Sequence, residues 1–259
     1  MQKITINQII KKKNKIPITC LTAYSKTIAQ IADRYCDIIL VGDSLGMVLY
    51  GMKTTREIKI ETMILHGKAV KNSTKKSLVV FDMPYKTYTN KFIAYNNARK
   101  VIKLTKCDAI KLEGGKKIVE IIRYLTKRGI PVMGHVGLLP QTSANFKTKG
   151  KNFIQKKQIF EDAIAVSKSG VFAIVIECVT EDLAKKITEN VPIPTIGIGA
   201  SVHCDGQILV TDDMLGLSNF FPKFVKQYST LGKVIEKCIR NYAKDVKTRK
   251  FPFIKNVYR

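Results

Sequence analysis

Short apolar runs recur along this chain, and between them apolar positions return every three or four residues. The runs fall at 18–24, 38–41, 78–81, 109–112, 131–137, 173–176, 194–200 and 206–210. Apart from 109–112, where Lys111 interrupts, runs of this length with little polar alternation predict strands buried on both faces, as in a parallel sheet. The intervening segments predict helices. Over 26–35, Ile28, Ile31 and Ala32 share one face, and over 62–71 Met63, His66 and Val70 do the same. Further helices are expected over 91–105, 116–128, 156–169, 181–190 and 230–245, with Gly129 and Gly170 as C-terminal stops. A short amphipathic helix over 6–13, closed by Asn14 and Pro17, precedes them. Residues 49–55 predict a loop, and 142–155, rich in Lys and Asn, predict a longer irregular one of the kind that serves a site. His66 on its helical face predicts a core or interface histidine and not a ligand.

Strand alternating with helix means parallel β with crossover helices. The ends of the strands carry the information about function. The run Ile38 to Val41 stops at Gly42-Asp43-Ser44, and Leu78 to Phe81 stops at Asp82. Lys111 and Glu113 alternate with Ile110 and Leu112 and so share one strand face. His135 comes near the end of its strand and Glu177 ends another. A turn aspartate is the plain account of Asp43, and a structural ion pair is the plain account of Lys111 with Glu113. Recurrence at strand after strand favours a common mouth. In a (β/α)8 TIM barrel all strand C-termini meet there, whereas a doubly wound open sheet would collect only a few of them at one crevice. The fold expected is therefore a (β/α)8 barrel with a short N-terminal helix, as a single domain over residues 1–259.

The length of 259 residues suits one such barrel, and 45% hydrophobic content is ordinary for a globular chain. The charge is not ordinary: 45 Lys and Arg against 20 Asp and Glu give a formal +25. Most of the basic residues are lysines spread along the whole chain, while a nucleic-acid footprint is clustered. The expectation is a diffuse basic surface that attracts anionic substrates, with no nucleic-acid partner. No apolar run is long enough to span a bilayer, so no membrane partner is expected. The N-terminal stretch lacks the apolar core of a secretory signal. The six cysteines, Cys20, Cys36, Cys107, Cys178, Cys204 and Cys238, form no C-x-x-C pair and predict reduced thiols in the cytoplasm.

Two aspartates and a glutamate at one mouth make an all-oxygen site, which suits Mg2+ and not zinc. Mg2+ retains positions for substrate oxygens. A 2-oxo acid can fill two of them, and the metal then acts as a Lewis acid on the keto group. Lys111 is the candidate for holding the substrate carboxylate or the developing enolate. Glu177 is the candidate for removing the proton α to the carbonyl. Gly197-Ile198-Gly199 lacks the third glycine of a dinucleotide fingerprint, and no Walker motif follows a strand.

Several segments resemble the ketopantoate hydroxymethyltransferase family. They are Leu40-Val41-Gly42-Asp43-Ser44-Leu45-Gly46-Met47, Asp82-Met83-Pro84-Tyr85, Lys111-Leu112-Glu113-Gly114-Gly115 and Gly134-His135-Val136-Gly137-Leu138-Leu139-Pro140-Gln141. Ile176-Glu177-Cys178-Val179, the segment from Ile193 to Ala200, that from Cys204 to Val210, and Pro222 to Lys226 continue it in the family's order. The resemblance implies a (β/α)8 barrel that uses Mg2+ and transfers a hydroxymethyl group from 5,10-methylenetetrahydrofolate to 3-methyl-2-oxobutanoate. The product is 2-dehydropantoate, for pantothenate biosynthesis. It implies metal binding by Asp43 and Asp82, with Glu113 completing the site. It implies substrate contacts from Asp43, Ser44, Asp82 and Lys111, and Glu177 as proton acceptor. It also implies a homo-oligomer, commonly a homodecamer of pentameric rings. The chain departs from the family pattern at Ser201, where glycine is usual, and over 145–156. A Mg2+ barrel of the phosphoenolpyruvate mutase type and a basic nucleic-acid-binding protein are the competing readings. The first lacks its cysteine loop here, and the second leaves the polar strand ends unexplained.

Overall fold

The computed structural model describes residues 2–143, 147–218 and 221–258. The chain divides into two compact units, Met1–Val210 and Thr211–Arg259. In the first, eight parallel strands close into a barrel in chain order. They are β1 (Ile18–Thr22), β2 (Ile38–Val41), β3 (Leu78–Asp82), β4 (Ala109–Lys111), β5 (Val132–Gly137), β6 (Ala173–Glu177), β7 (Thr195–Ile198) and β8 (Gly206–Leu209). Closure is explicit at Cys20, which lies opposite Ile38 of β2 and Ile208 of β8. Glycine is required at Gly206, where a Cβ would stand 2.4 Å from the Ile18 carbonyl oxygen.

The expected (β/α)8 barrel is therefore the fold, and each expected strand is present. Alternate residues divide between two cores, as the period of a strand requires. Leu78 and Val80, Ala109, Met133, and Ala173 with Val175 pack inside the barrel. Their neighbours Val79, Phe81, Ile110, Ile174 and Ile176 pack outward against the helices. Those helices are α2 (Lys26–Ala32), α3 (Leu45–Tyr50), α4 (Ile60–Lys71), α5 (Lys91–Thr105), α6 (Val119–Thr126), α7 (Phe153–Ser167) and α8 (Glu181–Asn190). They follow α1 (Ile6–Ile10), whose buried Ile9 packs in the inner core.

The N-terminal segment is stapled to the barrel by lysines. Lys3 and Lys71 share Asp108, Lys12 pairs with Asp37 at 2.6 Å, and Lys13 pairs with Asp205 at 2.9 Å. Each aspartate stands just before a strand, so the pairs close the face opposite the strand C-termini. Asp205 also accepts the N–H groups of Asn14 and Thr195. Against burial, Lys13 and these N–H groups hold its carboxyl below the usual range. Part of the basic surplus thus has a structural use.

Three local expectations are corrected. The chain from Leu45 to Tyr50 is a helix, so the loop expected over 49–55 begins only at Gly51. Leu45 and Gly46 are buried, and Gly51 at φ 65° ends α3 in the left-handed conformation that glycine permits. Helix α7 starts at Phe153, inside the expected loop, because the Asn152 side chain accepts the Gln155 N–H at 2.9 Å. The first helix stops at Ile10, capped at its start by Thr5 and Gln8. Of the expected loop over 142–155, Ala144, Asn145 and Phe146 lie outside the described residues.

The second unit carries α9 (Thr211–Met214) and α10 (Leu231–Lys247). Val234, Ile235, Ile239 and Tyr242 are exposed along α10. No described helix is long and apolar enough to cross a membrane.

All six cysteines are free. Five are buried or half-buried, and Cys238 is exposed. Burial pushes the Cys36 thiol up to about 11 and the Cys178 thiol, beside the Glu177 charge, up to about 12. A thiol held that high is a poor nucleophile at neutral pH. Ellman titration of the native protein is expected to show one fast thiol, lost in Cys238→Ser. Fast reaction at Cys178 would contradict this assignment.

Candidate active site

The parity that fills the barrel also selects the residues at its mouth. In β3 the inward set Leu78 and Val80 continues to Asp82. In β4, Ala109 continues to Lys111 and, past the strand, Glu113. Met133 continues to His135, and Val175 to Glu177. Asp43 and Ser44 come from the turn into α3. Asp43, Asp82, Lys111, Glu113 and His135 are buried, while Ser44 and Glu177 are partly open. The expected site residues therefore gather at one end of the barrel, and the two that solvent reaches stand at its rim.

Register makes the central pair. Asp82 lies directly opposite Lys111, and the Lys111 ammonium donates to both Asp82 oxygens, at 2.9 and 2.8 Å. Burial alone would push the Lys111 ammonium down. Asp82, Asp43 and Glu113 outweigh it and hold Lys111 above its ordinary value. The pair is wholly desolvated, so each member depends on the other.

The remaining acids lack so complete a partner. Burial first, and then the Asp82 charge, push the Asp43 carboxyl up to about 8, against the pull of Lys111 and Gln141. Burial, with Asp43 and Asp82 behind it, raises Glu113 well above the usual carboxylate range. His135 lies between two carboxyls, with Nδ1 3.6 Å from Glu113 and Nε2 3.3 Å from Glu177. Neither approach is aligned as a hydrogen bond. Burial and the Lys111 charge lower the His135 pKa, which favours the neutral ring. A neutral imidazole has one N–H and can serve only one of its two neighbours.

Two residues without a role in the sequence reading hold this cluster. The Gln141 side-chain amide donates to Asp43 Oδ2 at 2.8 Å and to the Met83 carbonyl at 3.0 Å. Its backbone N–H donates to Glu113 Oε1 at 2.7 Å. The Tyr88 hydroxyl donates to Gln141 Oε1 at 2.5 Å. Tyr24 does similar work at the rim, its hydroxyl 2.7 Å from Ser44 Oγ. Pro140-Gln141 just past a strand end was the available signal for Gln141; nothing in the pattern singles out Tyr88. His66 is half-buried, with Nδ1 2.6 Å from the Tyr24 carbonyl oxygen and Nε2 3.0 Å from the Tyr50 hydroxyl. Both of its ring nitrogens thus face protein partners.

Glycine matters at one point beside the site. Gly137, at φ 96°, ends β5 where a Cβ would stand 2.4 Å from the Glu177 carbonyl oxygen. Ser201, where the family pattern has glycine, is accommodated by donating to Glu181 Oε1 at 2.9 Å.

The site fits a small hard cation in one respect and not in another. Two buried aspartates face each other, with the Asp43 N–H 3.5 Å from Asp82 Oδ2, and three buried carboxyls surround a single ammonium. Such an excess of buried oxygen anions is the donor chemistry Mg2+ takes, and Mg2+ needs only one or two carboxylates beside water and substrate. Yet among the described residues no group of three acidic, histidine or cysteine side chains is placed to hold a metal by itself. The fit is thus to a cation with an incomplete protein shell.

A parallel barrel with a buried lysine–carboxylate cluster at its C-terminal mouth defines a TIM-barrel enzyme. The sequence model of ketopantoate hydroxymethyltransferase matches residues 3–253. The Pelagibacter ubique protein named 3-methyl-2-oxobutanoate hydroxymethyltransferase is 55% identical over 258 residues, covering 100% of both chains. A Rhizobium etli protein of the same name is 50% identical, covering 97% of this chain and 94% of its own. The chain belongs to the ketopantoate hydroxymethyltransferase family, and it is a transferase.

Solved structures of other activities share the fold. Phosphonopyruvate hydrolase, in complex with oxalate and Mg++, superposes with a TM-score of 0.64 at 13% identity, covering 97% of this chain and 93% of that one. 2,3-Dimethylmalate lyase, of the PEP mutase/isocitrate lyase superfamily, gives 0.64 at 11% identity, covering 98% and 88%. Likeness at that identity extends to the barrel and no further. The lyase reading therefore gains a shared fold, while sequence places the chain with the transferases.

Proposed function

We propose that the protein transfers a hydroxymethyl group from 5,10-methylenetetrahydrofolate to 3-methyl-2-oxobutanoate, with Mg2+, to give 2-dehydropantoate for pantothenate biosynthesis. The observation that carries this reading is the mouth cluster, in which a half-open Glu177 stands over a buried ammonium and acids. The relatives' name states the oxo-acid acceptor and the hydroxymethyl group transferred, and the resemblance of the motifs suggests the folate donor.

Asp43 and Asp82 would hold the cation, with Glu113 as the third acid of the site. Bound there, Mg2+ would polarise the substrate's keto oxygen and lower the cost of negative charge on it. Ser44, held by Tyr24, and Asp43, Asp82 and Lys111 orient the oxo acid. Lys111 also places a fixed positive charge where the enolate develops. Glu177 takes the proton from C3. Over the whole reaction a bond forms between C3 and the donor's one-carbon unit. The C–N bonds holding that unit break, and one water supplies the hydroxyl oxygen. The buried walls of the mouth keep bulk water from the carbanion.

We extend the proposal to a cytoplasmic homo-oligomer, commonly a homodecamer in proteins the chain resembles, acting as one domain over 1–259. The exposed apolar residues of α10 support association of copies, since such a row is costly to leave in water.

Purified protein is expected to form 2-dehydropantoate from the two substrates, with turnover lost on chelation and restored by Mg2+. No product with Mg2+ and both substrates present would overturn the reading. Cleavage of a 2,3-dimethylmalate-like acid instead would favour the lyase.

A further inference from the structure

We propose that Gln141 is a positioning residue of the metal site, fixing which Asp43 oxygen is free and holding Asp43 and Glu113 at a set spacing. The inference rests on the metal reading above and assigns the residue that prepares the site.

Gln141 is 1% exposed, so solvent cannot serve its amide. A side-chain amide has two N–H donors and one acceptor oxygen. Both donors are used, on Asp43 Oδ2 and the Met83 carbonyl, and the oxygen accepts from Tyr88. The amide cannot be turned over. A flipped amide would put its oxygen against two acceptors, the Asp43 carboxylate and the Met83 carbonyl. The Tyr88 hydroxyl also lies 3.3 Å from the Glu113 carbonyl oxygen, a second acceptor for its one proton, and the shorter contact is to Gln141 Oε1. The orientation is thus set by the two acceptors that face the NH2 group.

The consequence falls on two acids at once. With Oδ2 occupied by Gln141, Oδ1 is the Asp43 oxygen left for another partner. The Gln141 backbone N–H occupies Glu113 Oε1 in the same way. One residue, from the turn after β5, therefore spans acids that arrive from the turns after β2 and β4. Without it each buried carboxyl could rotate toward the Lys111 ammonium, and a cation would have to reorganise both. Partners behind metal-binding side chains typically change affinity by about 10–100-fold when removed.

Gln141→Met keeps length and removes the amide, leaving the backbone N–H to Glu113. Tyr88→Phe removes only the hydroxyl that donates to the amide oxygen. Calorimetric titration of Mg2+ into metal-free wild type and both variants, without substrate, is the test. A thermal melt of each metal-free protein accompanies it. The expected result is a Mg2+ dissociation constant about 10–100-fold higher in Gln141→Met and a smaller increase in Tyr88→Phe. An affinity within twofold of wild type in folded Gln141→Met would overturn the inference while leaving the metal reading standing. If Gln141→Met does not fold, unchanged affinity in Tyr88→Phe overturns it. Absence of Mg2+ binding in wild type would remove the metal reading and this inference with it.

Discussion

Glu177→Gln is expected to lower turnover by about 10²–10⁴-fold, the contribution of a positioned base. Glutamine keeps the shape of the side chain and cannot accept the C3 proton. The variant should fold normally, because Glu177 stands at the rim and its structural contact is through its backbone. The Leu138 N–H donates to the Glu177 carbonyl oxygen at 2.8 Å, which the substitution leaves in place. Mg2+ uptake should also persist, since Asp43, Asp82 and Glu113 are untouched. The decisive measurement is loss of the C3 proton signal of 3-methyl-2-oxobutanoate in D2O, with Mg2+ and without folate. Wild type is expected to exchange it and Glu177→Gln is not. Equal exchange in both would move the base to another group, with His135 the nearest candidate at 3.3 Å.

The two aspartates are expected to respond oppositely to substitution, although both lose activity. Asp82→Ala leaves the Lys111 ammonium buried without its direct partner. Breaking such a pair costs on the order of 3–5 kcal/mol, so urea denaturation should show a large loss of stability. Asp43→Asn removes a carboxyl that burial and Asp82 already push up to about 8. Its metal-free fold should be as stable as wild type or more so at pH 8. The sign follows from linkage. An unfolded aspartate loses its proton near about pH 3.9, while folded Asp43 keeps it until about 8. Between those values the folded state binds the extra proton. The Asp43 contribution to stability is therefore fully present below about pH 4 and is lost as pH rises through about 8. Denaturation of chelated protein across that range should show the fall in wild type and a flatter profile in Asp43→Asn. Equal destabilisation by the two substitutions would mean that Lys111 does not depend on Asp82.

That asymmetry between Asp43 and Asp82 was not legible in the chain, where both read as an aspartate at the end of a buried run. The same runs, however, determined the barrel. Leu78 to Phe81 and Ala173 to Ile176 are apolar on both faces, and only a parallel sheet covered by helices buries both. Alternation within Ile110-Lys111-Leu112-Glu113 determined that Lys111 and Glu113 share a face, because a strand has a period of two. Local caps were legible in part: Gly129 stopped its helix, whereas the Asn152 cap was lost in a Lys- and Asn-rich stretch. What the tertiary structure alone decided is pairing. Strand register set Asp82 against Lys111, and the turn after β5, three strands on from Asp43, brought Gln141 to Asp43 and Glu113. Residue type and spacing say which groups are buried at a mouth. Which buried charge has a partner depends on distances between strands and turns far apart in sequence, and in a desolvated site that pairing decides the energy.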